Sequence, residues 1–171
     1  MRRVQVNLYD ERWPFRYEAE RKKLLQIYQS EVIDIFHIGS TSVAGLKAKP
    51  VIDIMLIVKD IERVDQCNQQ MRTINYEPKG EYGMTGRRFF QKGGDQRTHH
   101  VHVFEQGDKN VTRHLAFRNY LRSHSEVREK YGNLKHRLAM QFPNDLDSYI
   151  EGKANFMSEI EKKALEWYES H

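Results

Sequence analysis

Cysteine is nearly absent: Cys67 alone stands among 171 residues, which excludes an internal disulfide framework and a cysteine-built zinc site. Its helical surroundings offer no base partner, so it reads as a buried structural thiol rather than a nucleophile. No apolar run approaches the roughly 20 residues of a membrane span, and Met1-Arg2-Arg3-Val4 opens no signal peptide, so the expected place is the cytoplasm, with no membrane partner. Internal repeats and low-complexity segments are missing. So are the Gly-x-x-x-x-Gly-Lys-Ser/Thr loop, the Gly-x-Gly-x-x-Gly fingerprint and the Gly-x-Ser-x-Gly elbow, which removes the usual forms of P-loop, dinucleotide and nucleophile-elbow chemistry. Neither sign of charge dominates. Against 24 Asp and Glu there are 28 Lys and Arg, a net charge of +4, and the cations are scattered rather than clustered. That balance suits a mild preference for anions and permits nucleic acid as a partner without indicating it. The length fits one domain, 1–171, with a substantial core.

What is present is concentrated between His37 and Leu56. Two Ile- and Val-rich runs, Val32 to Ile38 and Val51 to Val58, are bounded by Gly or Pro in the manner of sheet-core strands. The loop joining them carries Gly39, Ser40, Ser42, Lys47 and Lys49. Glycine lets backbone approach a ligand, the hydroxyls donate hydrogen bonds, and a short helical turn after Gly39 would aim backbone N–H groups at an anion. Asp53 then falls inside an otherwise apolar strand, where a carboxylate is costly unless a cation or hydrogen-bond donors meet it.

This stretch resembles the signature of the nucleotidyltransferase superfamily, in which a Gly-Ser turn precedes a strand carrying metal-binding acids. It is more closely similar to the GrpB family (UPF0157), an uncharacterised group whose usual text reads His-Ile-Gly-Ser-Thr-Ala-Val-Pro-Gly-Leu and then Ala-Lys-Pro-Ile-Ile-Asp-Ile. The resemblance runs from about Trp13 to about Phe156. It takes in Arg88-Phe89-Phe90, Thr98 to Val103, Phe117 to Arg122, Tyr131 with Lys135, and Tyr149 with Lys153. Ala44 replaces the common Pro and Asn119 the common Asp. It implies a small mixed sheet of nucleotidyltransferase type with packed helices, an α/β (α+β) fold, and a nucleoside triphosphate or other phosphorylated small molecule as ligand. Some relatives are fused to dephospho-coenzyme A kinase.

One departure bears on the chemistry. The superfamily's two acids lie two residues apart so that both face one side of the strand, but position 55 is Met. Two-metal transfer needs clustered anionic oxygens to hold cations about 4 Å apart, and Asp53 alone does not supply them. Alternation along Thr98 to Glu105 places His100 and His102 on one face. With Asp53 they compose a two-histidine, one-carboxylate set. Imidazole favours zinc or another transition metal, whereas Mg or Mn would rest on the carboxylate. The alternative is that both histidines only line a pocket as satisfied polar groups.

Pro14 can open a helix with Tyr17, Leu24, Leu25 and Tyr28 on one face. A helix over about Ile61 to Ile74 follows, then strands near 86–92 and 98–105, and after Gly107 the pattern is helical to the end. One late stripe holds Val127, Tyr131, Leu134 and Leu138. Pro143 breaks it, and Leu146, Ile150, Met157, Ile160, Ala164 and Trp167 form the next. Lys153 falls inside the second stripe and Lys135 at the edge of the first, while Arg118 and Arg122 adjoin Phe117 and Leu121. Such cations either snorkel to water or converge on the Gly-Ser loop to hold phosphates, and the resemblance favours the second. On the same terms Arg88 is a ligand group or a sheet-edge gatekeeper. His37 could orient Ser40 or Ser42 or brace the loop. Trp13 and Trp167 read as packing.

Two main functions fit. In a nucleotidyltransferase, Gly39, Ser40 and Ser42 cradle the phosphates, Lys49, Arg88, Arg118, Lys135 and Lys153 hold their charge, and Asp53 is the catalytic residue through a divalent cation. In a non-catalytic module the same pocket only binds a nucleotide or phosphometabolite. A metal-dependent hydrolase on Asp53, His100 and His102 is a smaller third reading. The sequence does not set the oligomeric state.

Overall fold

The computed structural model describes residues 3–170. Met1, Arg2 and His171 lie outside them, and with the first two lies part of the N-terminal reading. Among the described residues no helix is long and apolar enough to cross a membrane.

Helix α1 (Trp13–Tyr28) takes Pro14 in its first turn, where the missing N–H costs nothing, and leads to β1 (Val32–Ile38). A single 3-10 turn, Ser40–Ser42, separates β1 from the environs of β2 (Ile52–Val58). Then come α2 (Ile61–Val64), α3 (Asn68–Thr73), β3 (Glu77–Pro78), β4 (Arg88–Lys92) and β5 (His99–Glu105). Three helices close the chain: α4 (Lys109–Ser123), α5 (Ser125–Gln141) and α6 (Leu146–Glu169). The expected helix over 61–74 is two short helices with a 3-10 turn between, Asp65–Cys67. Asp65, Asn68 and Thr73 are poor helix formers. Strand β3 escaped notice because it is two residues long. It sits at the sheet edge, where Pro78 loses no ladder bond.

The sheet has the order β1-β2-β5-β4-β3, with β2 antiparallel to β1 and parallel to β5. Side-chain alternation along β2 decides where chemistry can sit. Ile52, Ile54, Leu56 and Val58 join Trp13, Leu24, Tyr28, Val64 and Met71 in the main core under α1, α2 and α3. Met55 and Ile57 turn to the other face and pack with Phe104 and with Val111 and Leu115 of α4. Asp53 shares that second face, and the β2–β5 register sets it opposite His100 and Met55 opposite His102. A separate apolar cluster, including Leu46, Leu121, Tyr131, Ile160 and Ala164, fastens α4, α5 and α6 together and clamps the segment after the loop.

Two placements differ from the sequence reading. The inward stripe of α6 runs Tyr149, Lys153, Phe156, Ile160, Ala164, so Tyr149 is buried and Ile150 is exposed. Cys67 is half-buried, with Sγ toward the Ile27 carbonyl at 4.0 Å.

Candidate anion-binding site

Glycine is required at position 39. Its φ of 72° and ψ of −172° lie where other residues are strained, and a Cβ there would stand 2.8 Å from Asp53 Oδ2. The turn closes by Ser42 N donating to Gly39 O at 3.1 Å, and the Ser42 hydroxyl donates to the same carbonyl. Thr41 Oγ1 donates to Val51 O at 3.3 Å, so its one proton is used. It must therefore accept from His37 Nε2, 2.9 Å away, which fixes the proton on that nitrogen. Burial pushes the His37 pKa down to about 4, in keeping with a neutral ring. His37 thus braces the loop through Thr41, not through Ser40 or Ser42.

Asp53 is held from the neighbouring strand. His102 Nε2 lies 3.2 Å and His100 Nδ1 3.4 Å from its Oδ1. Arg87 Nη1 is 3.4 Å from His102 Nδ1, and a guanidinium only donates, so His102 accepts there and gives its Nε2 proton to Asp53. Burial acts to raise the Asp53 pKa. The hydrogen bonds from the two histidines outweigh it and hold the carboxyl well below its usual range. His114 stands 5.5 Å from the His102 ring, pushed down to about 3 by burial.

These residues also bear on a metal. Met55 is fully buried in the core, so β2 offers a pair of divalent ions no second carboxylate, and Glu161, which lines the adjoining cavity, is paired with Arg113 at 3.1 Å. A single ion at Asp53 would require His102 to release the proton it donates. Among the described residues no group of three or more His, Cys, Asp or Glu side chains is arranged to hold an ion.

Cations gather on the other side of Asp53. A cavity of about 200 Å³ is lined by Ser40, Thr41, Lys49, Val51, Asp53, His100, Lys135, Tyr149 and Lys153. Lys135 is only 2% exposed, and its Nζ has no hydrogen-bond partner; it rests 4.4 Å from the Tyr131 ring centre. Lys153 Nζ and Lys49 Nζ stand 5.1 and 5.4 Å from the Tyr149 ring centre. The Tyr149 hydroxyl and His100 Nε2 are likewise buried without partners. Burial, then the charges of Lys153 and Lys49, drive the Lys135 pKa far down, and burial with Lys49 lowers Lys153 to about 8. Three amines against one carboxylate, with orphaned donors among them, is a donor-rich pocket short of an anion. A second cavity of about 240 Å³ adjoins it, sharing Ser40, Asp53 and Lys153 and adding Gly39, His102, Phe117 and Tyr131.

Of the residues singled out in the sequence, Gly39, Ser40, Lys49, Asp53, His100, His102, Lys135 and Lys153 therefore meet around two joined cavities. Three do not. Ser42 spends its hydroxyl on Gly39 O and lines a groove on the other side of the loop. Arg88 is drawn to Asp65, 2.8 Å away, at the end of α2. Arg118 reaches His37 O at 3.2 Å and lies over Phe36. Tyr149 was missed as a pocket wall. Its signal was the Tyr-x-x-x-Lys spacing that recurs at Tyr131 and Lys135, one helical turn that sets each amine over its ring.

Comparison with known proteins shows the family and the fold. The family model described as GrpB protein matches residues 3–163. The UPF0157 protein YqkA of Bacillus subtilis is 45% identical over 166 residues, which are 97% of this chain and 48% of YqkA, so the chain spans about half the length of that relative. A crystal structure of the conserved protein GrpB from Enterococcus faecalis superposes with a TM-score of 0.93 at 43% identity, covering 96% of this chain and 99% of that one. Cid1 in complex with its short product ApU superposes with a TM-score of 0.53 at 13% identity, over 77% of this chain and 42% of Cid1, a likeness of fold alone.

Proposed function

This chain belongs to the GrpB family, and from that premise we propose that its lysine pocket binds the phosphates of a small molecule, a nucleoside triphosphate being the ligand that its nucleotidyltransferase-like fold suits. The observation that carries this reading is Lys135: a buried amine without a hydrogen-bond partner, facing Lys49, Lys153 and the Ser40 turn. An anion with several oxygens would satisfy those donors together, and charge-assisted bonds are the stronger kind. The adjoining cavity, walled by Phe117 and Tyr131, offers room for the less polar part of the ligand.

A transferase reading is favoured by one feature, the Asp53 carboxylate facing both cavities. It asks for a divalent cation at Asp53, with His100 and His102 as neighbouring donors. A divalent cation would supply charge neutralisation at the reacting phosphate, while the lysines position the tail and the Gly39–Ser40 turn holds it. Thermal shift with the four ribonucleoside triphosphates and pyrophosphate, each with EDTA, Mg²⁺, Mn²⁺ or Zn²⁺, separates the two. Binding alone predicts a shift that survives EDTA and grows in Asp53→Asn, because a negative charge leaves a cationic pocket. Transfer predicts that Asp53→Asn loses the metal-dependent part of the shift and any turnover. No shift with any phosphate ligand would remove both.

Protonation gives an independent check. Lys135 and Lys153 hold protons weakly in the empty pocket, and an anion favours their charged forms. Phosphate binding at pH 8 is therefore expected to take up protons, and affinity to rise as pH falls through about 8, the value to which Lys153 is lowered. Calorimetry with pyrophosphate, in buffers of different ionisation enthalpy, reads this directly. An apparent enthalpy identical in all buffers would show that the lysines do not change charge.

A further inference from the structure

The loop has a second face. Ser40 and Thr41 line the lysine pocket, whereas Ser42 and Ala44 line a groove of about 690 Å³ between the edge strand β1, the start of α1 and the junction of α4 with α5. The two share no lining residue. Arg118, Arg122 and Arg128 all line the groove, with Tyr9, Tyr17 and Phe36 as its aromatic walls, and no carboxylate does.

None of these three arginines makes an ion pair among the described residues, unlike Arg88, which meets Asp65, and Arg113, which meets Glu161. They bind neutral oxygens instead. Arg118 donates to His37 O and Asn119 Oδ1 at 3.2 and 3.0 Å. Arg122 donates through Nε and Nη2 to Ser42 O at 3.0 and 2.7 Å, and Arg128 through Nη1 to Leu121 O and Arg122 O at 3.1 and 3.2 Å. Those bonds fix each guanidinium in place without cancelling its charge, and each keeps N–H groups unused out of five. Burial lowers the pKa of Arg118 and Arg122, and for Arg118 the charge of Arg122 adds to it. Arg118 and Arg128 are half-buried and Arg122 is exposed; holding three cations around one groove without an acid costs stability, and an anion would offset that cost.

We propose that this groove is a second anion site, separate from the lysine pocket, that takes a phosphate-bearing small molecule. Pre-oriented guanidinium forks match the oxygens of a phosphate and bind more than one at a time. Three of them suit the multiple charges of a phosphate monoester or pyrophosphate better than one carboxylate. The aromatic walls leave space for whatever the phosphate is attached to.

The test is a pyrophosphate titration followed by the arginine Nε–Hε signals in nitrogen-15 spectra, at constant ionic strength set with chloride. Lys135→Met removes the first site, so the two readings fail separately. In that variant the Arg118, Arg122 and Arg128 signals are expected to shift and saturate as in the wild type. Arg128→Gln, which touches only helix-end carbonyls, should weaken that response about tenfold or more, the worth of one charge-assisted bond. Arg118→Lys keeps the charge without the fork and should weaken it severalfold, so a folding failure in one variant leaves the other. AMP in place of pyrophosphate tests whether a ring adds affinity, and citrate whether phosphate is preferred. Signals that chloride alone moves as far, that citrate moves equally, or that respond unchanged in a folded Arg128→Gln or Arg118→Lys would overturn the proposal.

Discussion

Lys135→Met is expected to lose phosphate binding and gain stability in the same protein. Met matches the length of the lysine stem and brings no charge, so the site stays filled while its amine is removed. Charge-assisted hydrogen bonds contribute about 1.5–3 kcal/mol each, which puts the loss of pyrophosphate affinity at about 10- to 150-fold. Stability should move the other way. The Lys135 amine is fully buried with no hydrogen-bond partner. A buried polar group left unsatisfied costs about 1–3 kcal/mol, so an apolar side chain of similar volume should stabilise by about that much. At about 2–4 °C per kcal/mol for a domain of this size, the midpoint should rise by several degrees.

The same substitution should flatten the pH dependence of unfolding. The pKa of Lys135 in the folded chain lies well below the 10.5 of the free side chain. Between those values the unfolded chain binds the proton and the folded one does not, so wild-type stability rises with pH up to 10.5 and falls as pH drops toward the folded value. Met at 135 removes that contribution. Scanning calorimetry from pH 6 to 10 on both proteins, beside a pyrophosphate titration, measures all three effects. A Met variant that is less stable, or binds as well as the wild type, would mean that the amine is not the pocket's orphaned polar group.

How much of this was readable beforehand depends on whether the determinant is local. The strand–loop–strand unit and Asp53 were legible because each rests on neighbours within a few residues: Ile and Val runs, a glycine, a carboxylate in an apolar strand. Lys135 and Lys153 were visible as cations in apolar stripes. Helical spacing ties each to a tyrosine one turn earlier. Arg88 and Arg118 were not placeable in the same way. Arg88 is decided by Asp65, 23 residues earlier in the chain, and Arg118 by the His37 carbonyl, 81 residues away. Only the assembled fold sets those partners side by side. The exchange of Ile150 for Tyr149 on the inner face of α6 has a simpler cause. At roughly 100° per residue, Tyr149 lies nearly in line with Ile160 while Ile150 falls at the edge of the stripe, so apolarity alone favoured the isoleucine although the face is centred near the tyrosine.

Gly39→Ala should be a strongly damaging single-methyl change at the site, and a second glycine shows why. Gly39 and Gly80 both have positive φ, 72° and 61°, but around Gly80 nothing lies within 4 Å of an added Cβ. Alanine at 80 therefore meets only the backbone penalty, about 1–2 kcal/mol. Alanine at 39 meets a penalty of about 1–3 kcal/mol for a backbone region that is nearly glycine's alone, and a collision besides. Its Cβ would stand 2.8 Å from Asp53 Oδ2 and 3.2 Å from Asp53 Cβ. The carboxylate cannot swing aside freely, because Oδ1 is held by His100 and His102. Either those bonds stretch or the Ser40–Ser42 turn moves away from the lysines. The summed cost is about 3–5 kcal/mol, with phosphate affinity falling as the turn shifts. Denaturant unfolding of Gly39→Ala and Gly80→Ala, each also in an Asp53→Ala background, separates the two parts. Removing the carboxylate should recover part of the cost at 39 and none at 80. Equal costs at the two glycines in the wild-type background would mean that the close approach of loop to carboxylate does not constrain the fold.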